Sequence, residues 1–137
     1  MTPELHTPAV SGRGLRLAYW IVTVLLCLNL FAGVLDLLKT DLVRQNTLSI
    51  GMPLGMLPFY GIIKIIGGIV LLAVANPVLK IGAYAGVIFY FLGAAAAHVT
   101  SGQPFAAVAP ALVILTLAVA SFLLWYRKVG LRVTTEG

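Results

Sequence analysis

Four apolar runs, each about the length of a membrane span, dominate this chain of 137 residues. A helix needs about 20 predominantly apolar residues to cross the hydrocarbon core of a bilayer. The runs of that size are 17–38, 58–75, 79–99 and 105–126. Only 9% of the residues are charged, whereas soluble domains have about 25%. The sequence therefore predicts an all-α fold, an integral membrane four-helix bundle that forms one domain over 17–128.

The distribution of basic residues predicts how this bundle is oriented. Cytoplasmic ends of membrane helices are enriched in Lys and Arg. Six basic residues fall on one side of a four-span topology and two on the other: Arg13, Arg16, Lys80, Arg127, Lys128 and Arg132 against Lys39 and Arg44. Both termini are therefore predicted to be cytoplasmic, with a disordered lead over 1–16 and a tail over 129–137. The net charge of +5 reflects this orientation, and we expect no nucleic-acid partner.

The connections between the runs are short, with one exception. Asn76-Pro77 ends the second run, so the second and third spans should be antiparallel neighbours. The long connection, 40–57, mixes apolar residues with Arg44 and Gln45. That mixture suits a short amphipathic segment on the membrane surface, which could cover the bundle. An irregular loop is the alternative, and the sequence does not decide between them.

Apart from Lys80 at the start of the third run, three residues with acidic or basic side chains interrupt the apolar runs: Asp36, Lys64 and His98. A Lys at the centre of a membrane helix costs about 2.5 to 3.5 kcal/mol, so Lys64 needs a partner or must reach the surface. All three residues fall in the outer half of the predicted bilayer, where a Lys side chain can extend toward water. We therefore expect a polar cluster below the outer mouth of the bundle, with Asp36 or His98 as the partner of Lys64.

Helical spacing places these residues on faces that point into the bundle. Asn29, Gly33 and Asp36 share one face of the first span, and Gly61, Lys64 and Gly68 share one face of the second. Small residues allow close helix approach in lipid, and Asn29 is expected to form an interhelical hydrogen bond. Structural alternatives remain open, since Lys64 could form only an ion pair, and Asp36 and His98 could serve only at the interface. Four aromatic residues, Tyr19, Trp20, Trp125 and Tyr126, suit an aromatic belt at the cytoplasmic surface.

Several kinds of chemistry are excluded by what the sequence lacks. Cys27 is the only cysteine, so a dithiol relay or iron–sulfur cluster within the chain is ruled out. His6 and His98 are predicted on opposite sides of the membrane and cannot share a haem or metal. The sequence has no Gly-rich phosphate loop or nucleophile elbow. We identify no catalytic residue and no metal site, and a stand-alone enzyme is not expected.

Three segments together resemble the DoxX-like family of small four-span membrane proteins. They are Leu30–Leu38, Gly61–Gly68 with its Gly-x-x-Lys-x-x-Gly pattern, and Tyr84–His98 with its Gly-Ala-Ala-Ala-Ala-His end. The resemblance extends from about Tyr19 to Arg127. The family takes its name from a subunit of a thiosulfate:quinone oxidoreductase, and its members are linked to redox and oxidative-stress systems. The resemblance therefore implies a redox-associated membrane protein, with Lys64, His98 and Asp36 as the residues of interest and a bacterial inner membrane as its location. The same fold can host several functions.

These observations lead to one functional hypothesis and two alternatives. The bundle is expected to bind a small hydrophobic ligand, quinone-like or lipid-like, with Lys64 and His98 donating hydrogen bonds to its oxygens. Asp36 completes the polar cluster, and Tyr60 and Tyr90 line the slot. No covalently bound cofactor is expected, and a quinone is one candidate for the bound ligand. The alternatives are a non-catalytic accessory subunit, which packs against another membrane protein or a second copy, and a small proton-coupled transporter that uses Asp36.

Overall fold

The structure, a computed structural model, describes residues 12–135 of the chain and the side chains of residues 12–130. This part of the chain is helical throughout, apart from turns, and contains no strand. Its elements are α1 (Gly12–Phe31), α2 (Gly33–Leu37), α3 (Asp41–Ser49), a 3-10 turn (Leu54–Met56), α4 (Leu57–Ala73), α5 (Pro77–Thr100) and α6 (Phe105–Thr135).

Four of the segments are long and apolar enough to cross a membrane: Gly12–Leu37, Leu54–Ala73, Pro77–Thr100 and Phe105–Gly130. The predicted all-α membrane fold is thus confirmed. The sequence suggested that the first span is one continuous helix. In the structure this span is interrupted at Ala32, between α1 and α2. The amide of Ala32 lies 3.2 Å from both the Leu28 and the Asn29 carbonyl oxygens. The backbone therefore includes an i−3 hydrogen bond at this point, and α2 continues the same membrane span after it.

The spans pack in the cyclic order α1, α4, α5, α6, so each has two neighbours. The connection between α4 and α5 is short, which makes these two helices neighbours. Asn76 ends this connection and caps α5, because its side-chain oxygen accepts hydrogen bonds from the backbone N–H groups of Val78 and Leu79, and Pro77 is the first residue of the helix. The main buried core lies in the half of the bundle that contains the two chain ends. It includes Tyr19, Leu26, Leu30, Leu71, Tyr84, Val87, Phe91, Ala118 and Trp125. The opposite half, under α3, is less completely filled.

Two residues of the predicted aromatic belt are in fact part of this core. Tyr19 is fully buried and Trp125 is 7% exposed, whereas Trp20 and Tyr126 are 40% and 67% exposed. Only the latter pair suits a membrane-interface position. Each pair of aromatic residues is adjacent in the sequence, and adjacent side chains on a helix point about 100° apart. Their position in the sequence therefore did not show which member of each pair faces the core.

A buried hydrogen-bonded group joins three spans in this core. The hydroxyl of Ser121 lies 2.7 Å from the Thr23 hydroxyl and 2.8 Å from the Tyr84 hydroxyl. Polar side chains in a membrane bundle need partners inside the protein. This group therefore holds α1, α5 and α6 together at the end opposite the ionisable cluster.

The helices extend past the predicted membrane spans at both ends. Because α1 begins at Gly12, residues 12–16 of the predicted disordered lead are helical, while 1–11 lie outside the described residues. The backbone of α6 stays helical to Thr135, so most of the predicted tail, 129–137, continues that helix. Lys and Arg are good helix formers, so a helix can continue where its hydrophobicity ends.

Candidate functional site

Two glycines bring α2 against α4 and thereby position the ionisable residues. A Cβ atom placed on Gly33 would lie 2.8 Å from the Gly61 carbonyl oxygen and 3.1 Å from the Lys64 Cβ. A Cβ atom on Gly61 would lie 2.6 Å from the Gly33 carbonyl oxygen. Only two facing glycines allow backbones to approach this closely. Asp36 and Lys64, each three residues beyond its glycine, consequently face each other.

Asp36 is the partner that Lys64 requires. The Lys64 ammonium donates to the Asp36 carboxylate, with an Nζ–Oδ2 distance of 3.0 Å. The side chains are 13% and 10% exposed, respectively. Of the two partners expected from the sequence, the structure selects Asp36. A charged pair this shielded from solvent is held by Coulomb attraction that water screens only partly.

His98, at the last turn of α5, belongs to a separate hydrogen-bonded group. Its Nδ1 lies 2.6 Å from the Oε1 atom of Gln103, in the turn between α5 and α6. The Nε2 of Gln103 donates to the Ser49 carbonyl oxygen at 3.0 Å and to the Ser49 hydroxyl at 2.8 Å. Gln103 thus links the end of α5 to the end of α3. It is a residue of the site that the sequence analysis missed.

The same contacts determine which ring nitrogen of His98 carries hydrogen. A carbonyl oxygen can only accept, so the group on Gln103 that faces Ser49 must be the NH₂, and the group facing His98 must be the oxygen. Nδ1 of His98 therefore donates. A neutral His98 then presents Nε2 as an acceptor, and only a protonated ring can donate there. The expected donor role of His98 toward a ligand is thus restricted to its protonated form.

A cavity of about 700 Å³, called here the central cavity, lies between the four spans and α3. All five residues proposed from the sequence line it, namely Asp36, Tyr60, Lys64, Tyr90 and His98. The Tyr60 and Tyr90 rings meet edge to face, with centroids 5.8 Å apart, across the seam between α4 and α5. The Tyr60 hydroxyl is directed to the Met52 sulfur, 3.6 Å away. The sequence thus located residues that the fold gathers around one space.

The connection over 40–57 forms the cover of this cavity. Most of its first half is the helix α3, so the amphipathic alternative is the one observed. Leu42, Val43, Thr47 and Ile50 contribute to the cavity wall. The rest of α3 is exposed, including the apolar side chain of Leu48 at 58%. The residues that this connection contributes to the cavity wall are therefore mainly apolar.

Asn29 and Asn46 are further polar residues of the wall. The expected interhelical hydrogen bond of Asn29 is absent among residues 12–130, since no partner is within hydrogen-bond distance of its side chain. Its amide is therefore available to a molecule in the cavity. The rest of the wall is largely apolar, formed by residues such as Phe91, Ala94, Ala97, Ala111 and Ile114.

The wall combines a few polar groups with an apolar surface. Across the described residues, no group of three or more His, Cys, Asp or Glu side chains could hold a metal ion. An ion pair, an imidazole and an amide face an otherwise apolar space. This arrangement can orient a molecule with an oxygen-bearing head and an apolar body.

We expect Gln103→Leu to loosen α3. The change removes the contacts that Gln103 makes with His98 and Ser49, and each hydrogen bond contributes about 0.5–1.5 kcal/mol. Amide hydrogen exchange in α3 should become about ten-fold faster. Gln45→Leu, on the exposed side of α3, is the matched control and should leave the rate within about two-fold. Equal rates in wild type and Gln103→Leu would show that other contacts hold α3.

Comparison with known proteins identifies one match. The sequence model of the DoxX-like family matches residues 21–121, which includes most of α1, all of α2 to α5 and more than half of α6. The matched segment contains every residue of the central cavity. No curated protein and no solved structure matches the chain significantly.

Proposed function

The chain belongs to the DoxX-like family, and we propose that it binds a small amphipathic membrane molecule, quinone-like or lipid-like, in the central cavity. The observation that supports this proposal is the position of Asp36, Lys64 and His98 on one apolar cavity inside a membrane bundle. Buried ionisable residues in spans are expensive, and they usually mark functional sites.

The size and lining of the cavity suit such a ligand. Ligand pockets typically have volumes of about 300–1,000 Å³, and the central cavity has about 700 Å³. Its apolar wall would contact the body of the ligand. Its few polar groups, on α1 to α5, would fix the orientation of the head.

The polar groups offer complementary roles to an oxygen-bearing head. Lys64 has three N–H donors, and Asp36 engages one of them while keeping the ammonium in place. The remaining donors can bind a carbonyl oxygen. With Nδ1 engaged by Gln103, the His98 ring can contact a hydroxyl group through Nε2, so Lys64 suits the oxidised form of a quinone and His98 suits its reduced, hydroxylated form. A lipid head with both carbonyl and hydroxyl groups satisfies the same donors and acceptors.

We place this binding function in a redox or oxidative-stress-linked system, as the family resemblance implies. In this proposal the chain acts there as a binding protein for the ligand. Its partners are the bilayer, the hydrophobic ligand and a membrane protein or second copy. We propose a bacterial inner membrane with both termini in the cytoplasm, following the distribution of Lys and Arg.

Ala97→Phe tests the proposal without disturbing the ion pair. Ala97 lines the central cavity, so a phenyl ring there should occupy part of the ligand volume. We expect the amount of co-purified quinone or lipid to fall by about ten-fold or more, equivalent to about 1.4 kcal/mol. The protein is purified in mild detergent, its small molecules are extracted, and mass spectrometry compares them with a membrane blank.

Ala85→Phe is the control for this measurement. Ala85 lies on the same helix, is exposed, and does not line the cavity. It should retain the wild-type ligand content. If wild type contains nothing above the membrane blank, or if Ala97→Phe retains the full amount, the proposed binding function is wrong.

An accessory role is the second candidate, because α5 has an open glycine surface. Cβ atoms placed on Gly82 and Gly86 would have nothing within 4 Å. This Gly-x-x-x-Gly pair faces away from the bundle and suits close contact with a helix of another membrane protein. Cross-linking in membranes should then recover one dominant partner, while the purified chain contains no ligand.

A further inference from the structure

We infer that the central cavity opens sideways to the bilayer between α4 and α5, at Gly93, and that its ligand keeps an apolar tail in the lipid through this opening. The inference rests on the proposed binding function and specifies its ligand class. The ligand is an amphiphile with an oxygen-bearing head and a long tail, which reaches the site from the membrane rather than from water.

The lining of the cavity extends onto the lipid-facing side of α5. Phe89, Gly93 and Ala97 are successive i, i+4 neighbours, and such a row turns gradually around a helix. All three residues line the cavity. Ala97 is half-buried, Gly93 is exposed, and Phe89 is 70% exposed. The cavity wall therefore continues from the inside of the bundle to its lipid-facing surface.

Gly93 leaves the seam between α4 and α5 open at this level. A Cβ atom built on Gly93 would have no atom within 4 Å. Among the four pairs of adjacent spans, α4 and α5 also pack against each other least extensively. Tyr90, three residues before Gly93 on α5, meets the Tyr60 ring across the same seam. The side opening at Gly93 is thus bordered by this aromatic pair.

The distribution of polarity indicates how a ligand lies in this space. The Asp36–Lys64 pair and His98 supply the charged and ionisable groups of the wall, whereas the side opening is bordered by Phe89, Gly93 and Ala97. The head would lie at the polar groups and the tail would pass Gly93. At the α3 end, Gln103 ties α3 to the end of α5, and the exposed α3 residues Leu42 and Asn46 also line the cavity.

Binding of paired probes tests the tail requirement. The protein is placed in lipid nanodiscs made of phosphatidylcholine and phosphatidylglycerol, and apparent Kd values are obtained from the rise in Tm with probe concentration. Menaquinone-4 and menadione share a naphthoquinone head and differ in the isoprenoid tail. Monoolein supplies a lipid head with a tail, so its comparison with menaquinone-4 distinguishes the two ligand sources.

Gly93→Leu should weaken binding of the tailed probe that wild type prefers by about ten-fold or more, and change menadione by no more than about two-fold. Gly86→Leu is the matched control, because Gly86 is also open on α5 but does not line the cavity. It should change none of the affinities. Both variants should fold, since neither site has a neighbour for the new side chain to displace; Gly93→Ala, with a smaller effect, provides a second variant.

Chemical access to the cavity gives a second readout that does not depend on ligand affinity. In a Cys27→Ala background, Ala97→Cys places a thiol in the cavity wall. N-dodecylmaleimide dissolved in vesicles should label it about ten-fold more slowly after Gly93→Leu and at an unchanged rate after Gly86→Leu. An unchanged labelling rate and unchanged tailed-probe affinity in Gly93→Leu would overturn the side opening. Slower labelling in a protein that binds none of the probes would instead keep the opening and overturn the binding function.

Discussion

Lys64→Met is expected to lower the free energy of unfolding by about 3 kcal/mol, because it leaves the Asp36 carboxylate without its cation. Removing one member of a buried ion pair typically costs about 3–5 kcal/mol. The lower end applies here because the two side chains retain 13% and 10% exposure. Unfolding by sodium dodecyl sulfate in mixed micelles, followed by circular dichroism, measures the change.

The double variant Asp36→Leu/Lys64→Met is the control that separates charge from packing. Two apolar residues of similar volume leave no unpaired charge, so stability should return to within about 1 kcal/mol of wild type. If Lys64→Met alone changes stability by less than about 0.5 kcal/mol, the pair behaves as a hydrated surface pair. The double variant also tests function, since a folded protein without Lys64 should have lost the ligand that its donors orient.

The sequence predicted the membrane fold because hydrophobic length is a local property. Each span shows a run of apolar residues, and the short link at Asn76-Pro77 makes α4 and α5 neighbours. Helix ends were less predictable, since α1 and α6 continue through basic residues that are good helix formers. The burial of Tyr19 and Trp125 also depends on which face meets α5, and this is settled only by packing among all four spans.

The candidate site could be predicted in part for the same reason. An ionisable residue inside an apolar run is conspicuous, so Asp36, Lys64 and His98 were found from the sequence. Gly33 and Gly61, on the same helix faces as Asp36 and Lys64, indicated that these faces point into the bundle. Gln103 and Ser49 were missed because polar residues in turns and at helix ends are common and give no signal. Their contact joins positions that are distant along the chain. Whether Lys64 would pair with Asp36 or His98 likewise depended on helix rotation.

Gly61→Ala should be the most damaging single methyl addition in the described part of the bundle. Its Cβ would lie 2.6 Å from the Gly33 carbonyl oxygen and 2.8 Å from the Leu37 Cγ. The leucine side chain can move, but the carbonyl oxygen belongs to the α2 backbone, so α2 and α4 must separate. Overpacking of this kind typically costs about 1–3 kcal/mol. We expect about 2 to 3 kcal/mol by the same micelle unfolding assay, with a weakened Asp36–Lys64 pair.

Gly86→Ala isolates the effect of position from that of residue type. Nothing lies within 4 Å of a Cβ atom on Gly86, and Ala is about 0.5–1 kcal/mol more favourable than Gly inside a helix. Stability should therefore be unchanged or slightly higher. Gly33→Ala widens the same gap as Gly61→Ala, so the two costs should not add in the double variant. Additive costs, or equal stability of Gly61→Ala and Gly86→Ala, would contradict a backbone contact between α2 and α4 and remove the structural basis for the Asp36–Lys64 pair.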